Sequence, residues 1–177
     1  MNRTPTTLLE RRARSARNAA QPGYAVKASE RAEVRRHLAA SPARVFAAFA
    51  SADVVAQWLT PAPDVKLTVL QLDFREGGHY QFAYDTPDGQ RMLVSGVYRN
   101  IETPTRLVFS WLIEPPDVHA GIESQVTVSI APSAGGSDLL ILHERFERAD
   151  ANLRHAEGWA GALEQLQRLL TKARQSL

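Results

Sequence analysis

DANLRHAEGWAGALEQLQRLLTKARQS, residues 150–176, is the longest stretch of the chain with a helical repeat. Trp159, Leu163, Leu166 and Leu170 recur at three- and four-residue steps, and Ala162 and Leu169 widen the stripe. Glu164, Gln165, Gln167, Arg168 and Lys172 fall on the other side. Asp150 suits the helix start, while Lys172 and Arg174 suit the negative end of the helix dipole. A long helix with one apolar face needs an apolar surface to bury it. The residues upstream supply one.

Working back from residue 150, short strands follow one another at close spacing. Residues 138–146 and 124–131 are separated by Ser133-Ala134-Gly135-Gly136-Ser137, and the second puts Val126, Val128 and Ile130 on one side. Beyond Pro115-Pro116 lies 105–114, with Phe109 and Trp111 together, and then 91–102, joined to it around Thr103-Pro104. Pro87-Asp88-Gly89 is a hairpin signal leading back to 79–86, where Tyr80, Phe82 and Tyr84 share a face. Gly77-Gly78 precedes it, and residues 65–73 alternate through Val65, Leu67 and Val69 before slipping near Leu70. Strands this close, with tight turns, imply an antiparallel meander.

Further upstream, residues 32–39 read as another strand, ending at Ser41-Pro42. That pair is a helix start: the hydroxyl caps free N–H groups, and proline at the first helical position loses no bond. Residues 42–59 place Val45, Phe46, Phe49, Val54, Val55 and Trp58 on helical faces, as two short helices broken near residues 51–53 and ended by Pro61 and Pro63. The order is β-α-α-β₅₋₆-α. This predicts an α+β fold, a curved antiparallel sheet whose apolar face is crossed by the last helix.

At 177 residues the chain holds one domain with a core, because a chain of this length hides roughly 70% of its unfolded surface. The absence of cysteine excludes disulfides, thiolate zinc sites and cysteine nucleophiles. No apolar run approaches the roughly 20 residues of a membrane span. Hydrophobic residues at 44% and charged ones at 23% are a globular mixture. The net charge of +2 divides unevenly. Residues 1–29 carry six basic side chains against Glu10, giving +5, whereas residues 30–177 carry 15 basic and 18 acidic ones, giving −3. A nucleic-acid-binding fold places its basic stripe on the folded face. Here the body, residues 30–177, is mildly acidic, so no nucleic acid is expected there. Residues 1–29 read as a basic extension that can contact anionic partners, either solvated or as a short amphipathic helix through Leu8, Leu9, Arg11, Arg12 and Arg14. No apolar h-region follows Arg11-Arg12, which argues against an export signal and for a cytoplasmic protein. An Arg-rich, acid-poor segment is also the composition of an organellar presequence.

Several elements in register resemble a known family. Ser41-Pro42 with Val45-Phe46, Trp58 with Pro61, Asp73-Phe74-Arg75-Glu76-Gly77-Gly78-His79-Tyr80, Gly96-Val97-Tyr98 and Arg106-Leu107-Val108-Phe109-Ser110-Trp111 are similar to the START-like (SRPBCC) superfamily. Within it they resemble the branch named after the activator of the heat-shock protein 90 ATPase. Ser124-Gln125-Val126-Thr127-Val128, Gly135-Gly136-Ser137, His143, His155 and Gly158-Trp159 continue the likeness, which runs from about Glu30 to Leu170. Leu59 stands where the family pattern commonly has a second tryptophan beside Trp58. The resemblance implies a helix-grip fold, with the sheet wrapped around the C-terminal helix and a cavity between them.

The aromatic inventory suits such a cavity. If alternation holds, Tyr80, Phe82, Tyr84, Phe109 and Trp111 face Trp159 and Leu163, and with Trp58, Tyr98 and His143 they make a candidate site for a hydrophobic or aromatic small molecule. The same stripe also reads as filled core. His143 shares a face with Leu139 and Ile141, which would bury it as a bonded core histidine or as a group addressing a ligand. The opposite reading of that strand turns Leu140, Leu142 and Phe146 inward and exposes His143. In either reading an apolar pair is left outward, where it can mark a homodimer contact. Arg75 reads as a solvated strand-end arginine, or as one holding an acidic partner or a ligand carboxylate.

His37, His79, His119, His143 and His155 form no metal-binding spacing, and no GxSxG is present, so no metal, cofactor or hydrolase triad is expected. Gly77-Gly78 and Gly135-Gly136 are turn residues with no helix after them, unlike phosphate loops. The leading expectation is therefore non-enzymatic, cofactor-free binding of a hydrophobic small molecule. The resemblance implies two alternatives: a co-chaperone-like interaction module, and a cyclase- or hydratase-type enzyme using His143 with Tyr80 or Tyr98.

Overall fold

The computed structural model describes residues 31–117, 120–146 and 150–175. The basic extension read at residues 1–29, His119 and Ser176 lie outside them. β1 (Arg31–Leu38) leads into α1 (Pro42–Ala47) through Ser41, which is extended at φ −63° and ψ 154°. The Ser41 hydroxyl accepts the Arg44 N–H at 3.4 Å and Pro42 occupies the first turn, as the sequence predicts. α2 (Ala52–Trp58) begins at Ser51, whose carbonyl accepts the N–H groups of Val54 and Val55. Fully buried Trp58 closes it. Its indole N–H donates to the Ala48 carbonyl at 2.9 Å and its ring meets Phe49 edge-on, so one side chain fixes the angle between the two helices.

The remaining elements are β2 (Lys66–Leu72), β3 (His79–Asp85), β4 (Arg91–Glu102), β5 (Arg106–Ile113), β6 (Glu123–Ser133), β7 (Gly136–Glu144) and α3 (Ala151–Gln175). They give one seven-stranded antiparallel sheet in the order β1-β7-β6-β5-β4-β3-β2. The meander is sequential, and the first strand returns to pair with the last. Register puts Ala32 and Val126 opposite His143, Phe109 opposite Val126 and Tyr98, and Met92 opposite Tyr84. These residues form the inner face. The slip expected near Leu70 is a register shift between Val69 and Gln71, which leaves Leu70 exposed. A second shift lies between Tyr98 and Asn100, and there Glu76 accepts the Ile101 N–H at 2.9 Å.

α3 crosses the inner face and packs against β1, β7 and α2. Trp159, Ala162, Leu163, Leu166 and Leu170 are buried, and Glu164, Gln167 and Arg168 face water. Leu163 and Leu166 are wholly removed from solvent, each burial contributing roughly 1.5–3 kcal/mol. This is the helix-grip arrangement. How closely the helix approaches the α2–β2 connection is set by Gly161, where a Cβ would stand 1.9 Å from the Pro61 carbonyl oxygen. A Cβ at Gly158, by contrast, meets nothing nearer than the Pro61 Cβ at 3.9 Å.

The two glycines therefore answer alanine with opposite signs. Gly158→Ala should stabilise by up to about 1 kcal/mol through helix propensity. Gly161→Ala should destabilise by about 1–3 kcal/mol, because backbone has to move to admit the methyl group. Urea unfolding of both variants beside the parent chain checks this, and equal effects would contradict the packing described.

Candidate functional site

A chain of hydrogen bonds joins α3 to three strands. The Trp159 indole N–H donates to His143 Nδ1 at 3.1 Å, and His143 Nε2 lies 2.7 Å from the Ser124 hydroxyl oxygen. The Ser124 hydroxyl donates to the Trp111 carbonyl at 3.0 Å. An indole nitrogen only donates, so His143 Nδ1 is an acceptor and the proton of the neutral ring sits on Nε2, donated to Ser124. His143 is completely buried. Burial first, then the nearby His155, hold its pKa well below the usual 6.5. It is the bonded core histidine on the Leu139–Ile141 face, and Leu140 and Leu142 are on the other side, half-buried.

The aromatic residues separate into two groups. Tyr80, Phe82, Tyr98 and Phe109 lie against one another with ring centroids 4.6–6.0 Å apart. They enclose, with Phe49 and Leu107, a residual space of only about 20 Å³. The Tyr80 ring folds over Gly96, where a Cβ would come within 2.6 Å of it, and its hydroxyl donates to the Ser110 carbonyl at 2.6 Å. Burial raises the phenol pKa values of Tyr80, Tyr84 and Tyr98, so all three are neutral donors. The second group gathers around His143: Trp111, Trp159, His155 and Phe146 all make ring contacts with it. Arg145, at φ 67°, turns the chain so that Phe146 stacks on His155 at 4.8 Å.

Beside this second group lies a cavity of about 260 Å³. Its sheet wall is Tyr84, Met92, Trp111 and Ile113. Leu59, Pro61 and Val65 of the α2–β2 connection form a second wall, and Arg154, His155, Gly158, Trp159 and Ala162 of α3 form the third. Thr86 also borders it, with its hydroxyl turned to Asp88 and Gln90. Trp111 is only 8% exposed, and its indole N–H has no hydrogen-bond partner among the described residues. Of the ten site residues read from the sequence, Tyr84, Trp111 and Trp159 line the cavity. Tyr80, Phe82, Tyr98 and Phe109 pack around the small residual space, while Trp58, His143 and Leu163 are buried core outside both linings.

Sequence reasoning missed the α3 residues before Trp159, although the same helical step carried one turn back reaches His155 and Arg154. It had no signal for the α2–β2 connection, whose contribution depends on how the chain lies across the helix. The structure does not bring His143 to Tyr80 or Tyr98, and both its nitrogens are engaged within the protein. On the surface, Ser133, His37 and Asp138 meet, but serine and aspartate both address Nδ1 of His37, at 3.2 and 2.9 Å. An acyl-transfer triad needs them on opposite ring nitrogens. Arg75 is exposed and paired with Asp73. No group of three metal-ligating side chains occurs among the described residues, and no described helix is long and apolar enough to cross a membrane.

Residues 39–171 match the family model described as activator of Hsp90 ATPase homolog 1-like protein. The chain belongs to this family. No curated protein matches the chain. Among solved structures, a protein of Chromobacterium violaceum is 28% identical with a TM-score of 0.73, over 80% of this chain and 96% of that one. The AHSA1 protein of Silicibacter pomeroyi is 27% identical, TM-score 0.72, over 81% and 99%. An AHSA1-like protein of Aeromonas hydrophila, at 22% identity and TM-score 0.65 over 81% and 93%, shares the fold. The chain is thus an AHSA1-like domain of the SRPBCC fold, as the sequence motifs implied.

Neutral, buried His143 makes stability depend on pH. Its folded pKa is lowered, so below about 6.5 the unfolded chain binds a proton that the folded chain refuses. The contribution is fully present above pH 6.5 and is lost as pH falls from there. His155 is the titratable side chain in ring contact with it. Urea unfolding at pH 7.5 and at 5.5 should show this loss. His143→Phe should cost about 1–3 kcal/mol at the higher pH by orphaning the Trp159 N–H, and should flatten the pH slope. A variant with the parental slope would show that another group controls it.

Proposed function

We propose that this AHSA1-like domain binds a small apolar molecule in the cavity between the first half of α3 and strands β3–β5. The observation that carries this reading is the contrast between the two aromatic groups. One closes on itself to leave about 20 Å³, and the other stands beside about 260 Å³. Protein interiors leave few voids larger than a water molecule. The cavity opens to solvent, and its walls are almost wholly apolar, so a ligand seated there would cover apolar surface that otherwise meets water. A larger side chain at Gly158 would fill the space, and the helix would be more stable for it. The size also bounds the ligand: a cavity of about 150 Å³ holds benzene, so this one accommodates on the order of ten non-hydrogen atoms. The ligand is a single substituted ring or a short branched chain, smaller than a polycyclic lipid.

Two of the three tryptophans, Trp111 and Trp159, lie on the cavity wall, so occupancy should change the intrinsic fluorescence. Titration with a panel of monocyclic aromatics and short-chain aliphatics should give a saturable response. Gly158→Leu, which directs a side chain into the cavity, should abolish that response while the circular dichroism and the unfolding transition persist. An absence of saturable response across the whole panel, or a Gly158→Leu protein that binds as the parent does, would defeat this reading.

A further inference from the structure

The two spaces beside α3 share part of their walls. Leu59 and Trp159 border both the cavity of about 260 Å³ and the residual space of about 20 Å³, and no other described residue does. The larger space opens to solvent between almost wholly apolar walls. Every residue around the smaller one is buried, Phe49, Phe82 and Phe109 among them. The two shared side chains are held differently. The Trp159 indole N–H donates to His143 Nδ1 at 3.1 Å, a directional bond that fixes its ring. The Leu59 side chain has no polar atom and is only 7% exposed, so it is held by apolar packing, which is non-directional. Leu59 is also the first residue past α2, at φ −78° and ψ 51°, and its N–H donates to the Val55 carbonyl at 3.0 Å. The end of α2 thus fixes where this side chain starts, and its size decides how far the larger space reaches inward.

We infer that Leu59 is the specificity-determining residue of this cavity: beside the fixed Trp159 ring, its side chain closes the inner end and limits the length of the apolar ligand. This rests on the cavity being a binding site, and it adds what selects among ligands there. A ligand entering from solvent gains about fourfold in affinity for each methylene it buries, until the next methylene meets Leu59. The space behind, about 20 Å³, has room for about one water molecule and for no length of chain. Truncating Leu59 joins that space to the larger one, because the surroundings of a deleted side chain relax only partially. The joined chamber takes about two more carbons of an alkyl tail.

Titration of tryptophan fluorescence with the alkylbenzenes from toluene to hexylbenzene measures that length. In the parent chain affinity should rise about fourfold per methylene and then stop rising near butylbenzene, at about ten non-hydrogen atoms. In Leu59→Ala the rise should continue to hexylbenzene, a gain of at least about tenfold for hexylbenzene over butylbenzene. Ile113→Ala removes three carbons from a wall that borders only the larger space, and should leave the break where the parent has it. Leu59→Val removes one carbon and should move the break by about one methylene, which keeps the test open should the alanine variant fail to fold by circular dichroism. A break that stays in place in the folded Leu59 variants, or that Ile113→Ala moves as far, overturns the assignment and leaves the binding site standing. A parent chain whose affinity rises without a break through hexylbenzene overturns it as well. No saturable response to any of the series removes the inference together with the reading beneath it.

Discussion

The bond from Trp159 Nε1 to His143 Nδ1 gives the contact between helix and sheet a direction. Burial of the Leu163–Leu166–Leu170 stripe is worth more in free energy, but apolar burial is non-directional and tolerates rotation or sliding of a helix on its sheet. An indole that only donates, meeting an imidazole that passes its own proton to Ser124 and on to the Trp111 carbonyl, fixes one rotation of α3 across β5, β6 and β7. From that rotation the rest of the inner face follows. His155, one turn before Trp159, is brought to the cavity that Tyr84 and Trp111 also border, and Gly161 is carried to the Pro61 carbonyl.

Much of this was legible in the residues because it depends on local chemistry. Ser41-Pro42 is a helix start by hydrogen-bonding capacity alone, the interrupted alternation at Leu70 marks a register shift, and the spacing of Trp159, Leu163, Leu166 and Leu170 allows one buried face. The strand carrying His143 was ambiguous for a physical reason. Leu139, Leu140, Ile141 and Leu142 are consecutive apolar residues, and a run without alternation does not say which side faces inward. Pairing decides it: Val34 stands opposite Ile141 and Ala32 opposite His143, on the side where α3 lies.

The cavity was legible only in part. Alternation placed Tyr80, Phe82, Tyr84, Phe109 and Trp111 on one face, and that face is correct. It says nothing about where along the face the helix stands off from the sheet, because that distance is a property of two rigid bodies and of the connection between them. Tyr80 and Phe109 therefore pack against neighbours while Tyr84 and Trp111 border open space. Arg154 and Gly158 were invisible as site residues, since neither is apolar and neither belongs to the stripe that marks the helix.

Gly158 and Gly161 are one turn apart on the same helix and answer to different constraints. The second is held by a backbone atom of another segment, and the first by open volume alone. The fold thereby keeps the residue that seats the helix separate from the residue that sets how much space remains beneath it. A larger side chain at the open position would narrow the chamber without disturbing the seat.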